Sequence, residues 1–207
     1  MTSPRGVSPI ASNKISPALV LASESPRRLA LLAQAGLVPD AVRPAAVDET
    51  LLRGELPRAH AMRLACAKAE TVAGAWNDGP ALFLAADTVV ACGRRILPKA
   101  ETDSQVRDCL DILSGRRHQV LTAVAVLEDK RVRTRLVETR VAFRRLTADE
   151  IEAYVRCGEG LGKAGGYAIQ GRAEIFVRQV NGSYSNVVGL PLLETIGLLR
   201  SCGLAIS

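Results

Sequence analysis

The sequence predicts an α/β fold: a mixed, twisted sheet with flanking helices that form two lobes around a deep cleft. Strand and helix patterns alternate through the first half of the chain, and strands cluster in the second. A chain of 207 residues with 48% hydrophobic content buries a sizeable core as one domain, and no internal repeat divides it.

The first element is an apolar strand that runs through a Ser-rich turn into an amphipathic helix, LVLASESPRRLALLAQAG from Leu19 to Gly36. Ser25 suits the N-cap and Pro26 the first helical position, while Leu29, Leu31 and Leu32 supply the buried stripe and Gly36 the stop. Arg27 and Arg28 then fall in the first turn, where the helix dipole disfavours a cation by up to about 1 kcal/mol each. An anion in front of them explains the pair, because free amides and guanidinium forks both suit phosphate oxygens. A solvated arginine pair is the alternative.

Val42 to Glu49 carries the chain to Asp48 and Glu49. An Ala-rich helix follows from about Pro57 to Trp76, broken by the NDGP of residues 77–80. Leu82 to Cys92 reads as a buried strand with Gly93 to Arg95 as its turn, and Ser104 to Leu113 shows the apolar spacing of one helix face. Gln119 to Leu127 and Arg131 to Leu146 form a hairpin around Glu128 to Lys130. Thr147 and Glu150 make a capping box for a helix ending near Gly158. Beyond the Gly-rich stretch 158–171 come a strand from Glu174 to Val180, an Asn181-Gly182 turn, and a last helix from Leu192 to Cys202 introduced by Gly189 and Pro191.

Composition excludes several chemistries. The five cysteines are scattered and never spaced C-x-x-C, so neither a disulfide framework nor a zinc knuckle is suggested and a reducing cytoplasm fits. With only His60 and His118 present, imidazole metal clusters and a Ser-His-Asp triad have little to rest on. No apolar run approaches the roughly 20 residues that cross a membrane, and residues 1–16 read as a flexible tail without a secretory centre. A net charge of +6 permits a polyanionic ligand, but aromatics at 3% argue against stacking platforms for nucleic acid.

Carboxylates and lysines remain as the chemistry-bearing groups. Asp87 interrupts an otherwise apolar strand, and an unpaired buried ion costs several kcal/mol, so it needs a base, a metal or a cleft. Lys68 shares a helical column with Leu64 and Val72, which points its ammonium inward unless it snorkels. Lys99 lies between a strand and a helix, and Asp48 and Glu49 lie in a loop. Four cations (Arg27, Arg28, Lys68, Lys99) with Glu49, Asp87 and Asp48 suit a nucleoside triphosphate with a hard divalent ion, magnesium or manganese. No Walker P-loop is present. In GKAGGYAIQG, Gly162 to Gly171, the glycines permit close approach to a ligand, and Tyr167 and Gln170 are candidates for reading a base edge.

These residues, taken in order, resemble the Maf family of nucleoside triphosphate pyrophosphatases. The blocks are SESPRR (Ser23 to Arg28), VDE (Val47 to Glu49), AKA around Lys68, AADTVV (Ala85 to Val90), Lys99, KAGGYAIQG (Lys163 to Gly171) and NGSYSNVVGLPL (Asn181 to Leu192), over about residues 18–203. The resemblance implies a two-lobed fold with a deep cleft, commonly a homodimer, that converts a nucleotide to its monophosphate and pyrophosphate with a divalent ion. It implies Asp87 as proton acceptor and Arg27, Thr88 and Gln170 as substrate-sorting positions, in the combination of the branch acting on dTTP and UTP. Together with the reading of the residues, this makes Asp87, Glu49, Lys68 and Lys99 catalytic candidates, Ser25, Arg27, Arg28, Thr88 and Gln170 substrate-binding candidates, and Glu49 and Asp87 metal ligands. LPKA, where the family more often reads LGKP, and GEGLGKAGG, in place of a Glu-Pro turn, bear on loop geometry and leave the ionic groups in place. The rival expectations are the 7-methyl-GTP branch, or a non-catalytic regulator of septum formation that binds nucleotide or nucleic acid.

Overall fold

The computed structural model describes residues 17–206; the expected tail, residues 1–16, lies outside them. In chain order the elements are β1 (Ala18–Leu21), α1 (Pro26–Gln34), β2 (Ala41–Val42), α2 (Pro57–Gly74), β3 (Ala81–Cys92), β4 (Arg95–Leu97), β5 (Lys99–Ala100) and α3 (Asp103–Leu113). They continue with β6 (Arg117–Glu128), β7 (Arg131–Phe143), α4 (Ala148–Cys157), β8 (Lys163–Ala164), a 3-10 helix (Arg172–Phe176), β9 (Val177–Asn181), α5 (Tyr184–Val188) and α6 (Leu192–Ser201). The main sheet runs β2-β1-β3-β6-β7-β9, with β4 folded back on β3, and β5 and β8 form a separate two-stranded ladder. β1 is parallel to β2 and β3, whereas β3, β6, β7 and β9 pair antiparallel, so the sheet is mixed as expected.

Two-residue alternation decides which helix each strand residue meets. Leu19, Leu21, Leu82 and Leu84 pack with Leu31 and Leu32 of α1 and Leu198 and Leu199 of α6. Their neighbours Val20, Phe83, Ala85 and Val89 face the other way, against Ala61, Ala65, Ala69 and Val72 of α2. A third core lies beyond the far end of β3, where Val90 joins α3, α4 and the aromatic cluster of Phe143, Tyr154, Tyr167 and Phe176. The first two cores make one lobe and the third makes the other.

Local sequence accounts for most boundaries. Thr147 and Glu150 cap each other's amides at the start of α4, and Gly158 ends it at φ 73°. Several expectations need correction. Gly93 and Arg94 alone form the turn after β3, because Arg95 already pairs with Cys92 in β4. β7 stops at Phe143 rather than Leu146: the amide of Arg144 donates to the Phe176 carbonyl and that of Leu146 to Ser114 Oγ, which bends the chain toward α4. The strand expected from Glu174 begins at Val177, since Arg172–Phe176 winds into a 3-10 turn whose Arg172 amide is held by Glu159. Tyr184–Val188, unassigned from the sequence, is a short helix capped by Ser183.

Candidate functional site

A cleft of about 900 Å³ opens between the lobes, and Ser25, Arg27, Arg28, Glu49, Lys68, Asp87, Thr88, Lys99 and Gln170 all line it. Asp48 does not. It is exposed and accepts a hydrogen bond from the Thr50 amide at 2.9 Å, so its carboxylate shapes its own turn instead of joining the cluster.

At the centre, Lys68 Nζ donates to Asp87 Oδ1 at 2.6 Å and contacts Glu49 Oε1 at 2.6 Å. The side chains of Lys68 and Asp87 are only 12% and 10% exposed, which answers the question their positions raised: the inward lysine and the strand-interrupting aspartate neutralise one another. Glu49 reaches in from the loop and is 49% exposed. Burial alone would raise its pKa, but the Lys68 hydrogen bond and charge, with Lys99 and Arg28, hold it below the ordinary value.

Asp87 and Thr88 are adjacent on β3 and therefore point to opposite faces, one toward α2 and the other toward α1. Arg28 donates to Thr88 Oγ1 at 3.4 Å, to Ser23 Oγ at 3.0 Å and to the Gly189 carbonyl at 2.9 Å. Burial lowers the pKa of Arg28, opposed by the charges of Asp87 and Glu49. Thr88 Oγ1 also meets Thr122 Oγ1 at 3.0 Å, which ties it into the sheet. Ser25 occupies the N-cap position of α1, yet its hydroxyl does not cap the helix.

Lys99 sits on β5, where its backbone pairs with Ala164 of β8. The adjacent strand brings in Lys163, a cleft-lining cation that opens the KAGGYAIQG block and for which the sequence alone suggests no role of its own. Burial lowers the pKa of Lys163, and the charges of Arg27 and Lys99 add to this, so three cations crowd one side of the cleft. Within the Gly-rich stretch Gly165 and Gly166 serve packing, while Gly162 lines the cleft. Gly165 and Gly166 both lie at φ 69°, and a Cβ on Gly165 would stand 2.7 Å from Val90 Cγ1. Tyr167 lines the cleft but is 6% exposed, and its hydroxyl bonds buried His118 Nε2 at 2.8 Å, whereas Gln170 stands exposed at the cleft.

Comparison with known proteins follows the same lines. The family model "Maf-like protein" matches residues 18–202. This chain belongs to the Maf family. The Maf relatives it resembles include a dTTP/UTP pyrophosphatase of Caulobacter vibrioides, 59% identical over 90% of this chain and 96% of that protein. Another dTTP/UTP pyrophosphatase, from Rhodopseudomonas palustris, is 60% identical over 92% of this chain and 94% of its own length. A HAM1 protein from Coxiella burnetii superimposes with a TM-score of 0.48 at 16% identity, covering 89% of this chain and 98% of that one, too distant a likeness to add anything.

A divalent ion can be tested against this Maf site by its donors. Glu49 and Asp87 touch a common nitrogen, so their nearer oxygens lie within about 5 Å of each other. Magnesium takes one or two carboxylates and completes its shell with water and phosphate oxygens, which these two residues fit. Among the described residues no group of three or more His, Cys, Asp or Glu forms a protein-only cage. No helix among the described residues is long and apolar enough to cross a membrane.

Proposed function

We propose that this Maf protein is a nucleoside triphosphate pyrophosphatase acting on dTTP and UTP. The observation that carries this is the Glu49–Lys68–Asp87 junction inside a cleft also lined by Arg27, Arg28, Lys99 and Lys163. Cations suited to phosphates stand beside carboxylates suited to proton and metal chemistry, and relatives at 59% and 60% identity bear that activity in their names.

In the mechanism, water attacks the α-phosphorus, the bond to the α–β bridging oxygen breaks, and pyrophosphate leaves. Asp87 accepts the water's proton. Its Oδ1 is held by Lys68, which orients the carboxylate and assigns the proton to Oδ2. Glu49 would hold a divalent cation, with Asp87 as a second ligand only where it is not taking the proton, since the two tasks compete for one carboxylate; such a cation would supply charge withdrawal from the phosphate oxygens. Arg28, Lys68 and Lys99 stabilise the departing pyrophosphate, helped by the Arg27 amide in the first turn of α1. Arg27, Thr88 and Gln170 sort the base, since a site built on hydrogen bonds rejects analogues that leave its groups unpaired.

The test is a panel of dTTP, UTP, other nucleotides and 7-methyl-GTP, assayed separately for pyrophosphate and orthophosphate, with and without magnesium. Pyrophosphate release, fastest from dTTP and UTP, is expected. Orthophosphate as the product would overturn the cleavage site, and faster use of 7-methyl-GTP would overturn the branch. Asp87→Asn should lower turnover about 100-fold or more with the melting temperature little changed; near-normal turnover would remove Asp87 as the proton acceptor.

A further inference from the structure

Glu49 arrives on residues 43–56, a stretch with no helix or strand to fix its course. A carboxylate that must meet Lys68 and a phosphate-bound ion needs its backbone held more firmly than an irregular loop holds itself. The first turns of α2 supply the hold. Glu55, its side chain only 7% exposed, receives Arg63 through both oxygens, at 2.7 Å from Nε and 2.9 Å from Nη2. The same carboxylate accepts from the Leu52 amide at 3.2 Å and bonds His60 Nδ1 at 2.9 Å.

Arg63 Nη2 also donates to the carbonyl of Thr50 at 3.0 Å. Thr50 follows Glu49 directly, and its amide is taken by Asp48, so the residue on the C-terminal side of Glu49 is gripped at both its amide and its carbonyl. Five residues beyond Arg63 on the same helix stands Lys68. One helix therefore presents the ammonium directly and, through a bidentate ion pair, the loop whose carboxylate meets it. A planar guanidinium suits this task because it can bind a carboxylate with one edge and a carbonyl with a remaining N–H.

We infer that Arg63 and Glu55 are positioning residues that set Glu49 at the Lys68–Asp87 centre, an inference resting on the role proposed for Glu49 above. A purely structural staple at the start of α2 would contain the same ion pair. It would not couple to Glu49.

The experiment is a double-mutant cycle in the full-length protein. Arg63→Met and, as a variant that keeps side-chain shape, Glu55→Gln should each lower kcat about 10-fold or more for dTTP, with KM changed less, as losses of supporting ligands do. Arg63→Lys, which keeps one donor but not the fork, should recover part of that loss. In a Glu49→Gln background the same substitutions should cost less than about twofold, because the group they position is already gone. Hydrogen exchange gives a readout independent of turnover: amides of residues 49–52 should exchange about 10-fold faster in Arg63→Met, while those of α3 and α4 keep their rates. Equal fold-losses in both backgrounds, or unchanged exchange in the loop, would overturn the inference. A fully active Glu49→Gln protein would instead strike the role of Glu49 itself, which separates failure of the underlying function from failure of the clamp.

Discussion

Replacing Lys68 by Met tests the centre of the site most directly. Lys68 Nζ is 2.6 Å from an oxygen of Glu49 and 2.6 Å from an oxygen of Asp87, so its removal leaves two carboxylates about 5 Å apart with no cation between them. At an effective dielectric of about 20, two like charges at that distance repel by about 3 kcal/mol. That corresponds to about 2 pH units on whichever carboxylate binds the first proton. Glu49 is 49% exposed and water screens it, so a rise of about 1 unit is the expected outcome. The sign follows from repulsion: the pair holds a proton more tightly, and the reactive deprotonated form is lost at a higher pH than in the native protein. The assay is a titration of the Glu49 and Asp87 carboxylates by 13C NMR in the metal-free protein from about pH 3 to 8, with pyrophosphate release from dTTP measured beside it. The first protonation of the pair should move up by about 1 unit, and turnover should fall about 100-fold through loss of charge stabilisation. A protonation step that stays where it was in the native protein would refute the idea that Lys68 sets the charge of the Glu49–Asp87 pair.

His118 and the glycine loop give two further predictions. Burial pulls the pKa of His118 from 6.5 down to about 4, so the unfolded chain binds the extra proton and stability falls as pH drops from about 6.5 toward 4. Urea unfolding between about pH 7.5 and 4.5 should show a loss approaching about 3 kcal/mol, reduced in His118→Phe. Carboxylates such as Glu55 and Glu150, held at about 2 by Arg63 and Arg144, contribute only below this window. Gly165→Ala combines φ 69° with a Cβ 2.7 Å from Val90 Cγ1 and should cost about 3 kcal/mol, about 10 °C in melting temperature. Gly74→Ala, with nothing within 4 Å, is the control and should leave the melting temperature unchanged or slightly raised.

Four groups of the site were legible because each broke a local rule, whereas Glu49, Lys99 and Thr88 stood out only through the family resemblance. Asp87 stood in an apolar strand, Lys68 in an apolar helical column, and Arg27 and Arg28 at the wrong end of a dipole; all four line the cleft. Lys163 obeyed every rule of a loop lysine, and only the pairing of β5 with β8 brings it beside Lys99. Tyr167 lines the cleft, but its hydroxyl is held by His118, a partner 49 residues earlier that its motif gave no sign of. Short elements such as β4, β5 and α5 have too few residues to display a period, so contacts made elsewhere in the chain determine them.

The amino-acid order by itself settled the longer helices, the Thr147–Glu150 cap, the long β6–β7 hairpin, the mixed character of the sheet and the ionic inventory of the cleft, because these follow from interactions within a few residues, from the order of the elements or from side-chain type. Which ions meet was decided by tertiary structure. Glu49, Lys68 and Asp87 come from a loop, a helix and a strand, and Coulomb forces between them act only after the sheet twist and helix packing have brought those elements within hydrogen-bond reach. The same packing excluded Asp48, one residue from Glu49, because a neighbouring side chain on an irregular loop can point to water while the next reaches the core.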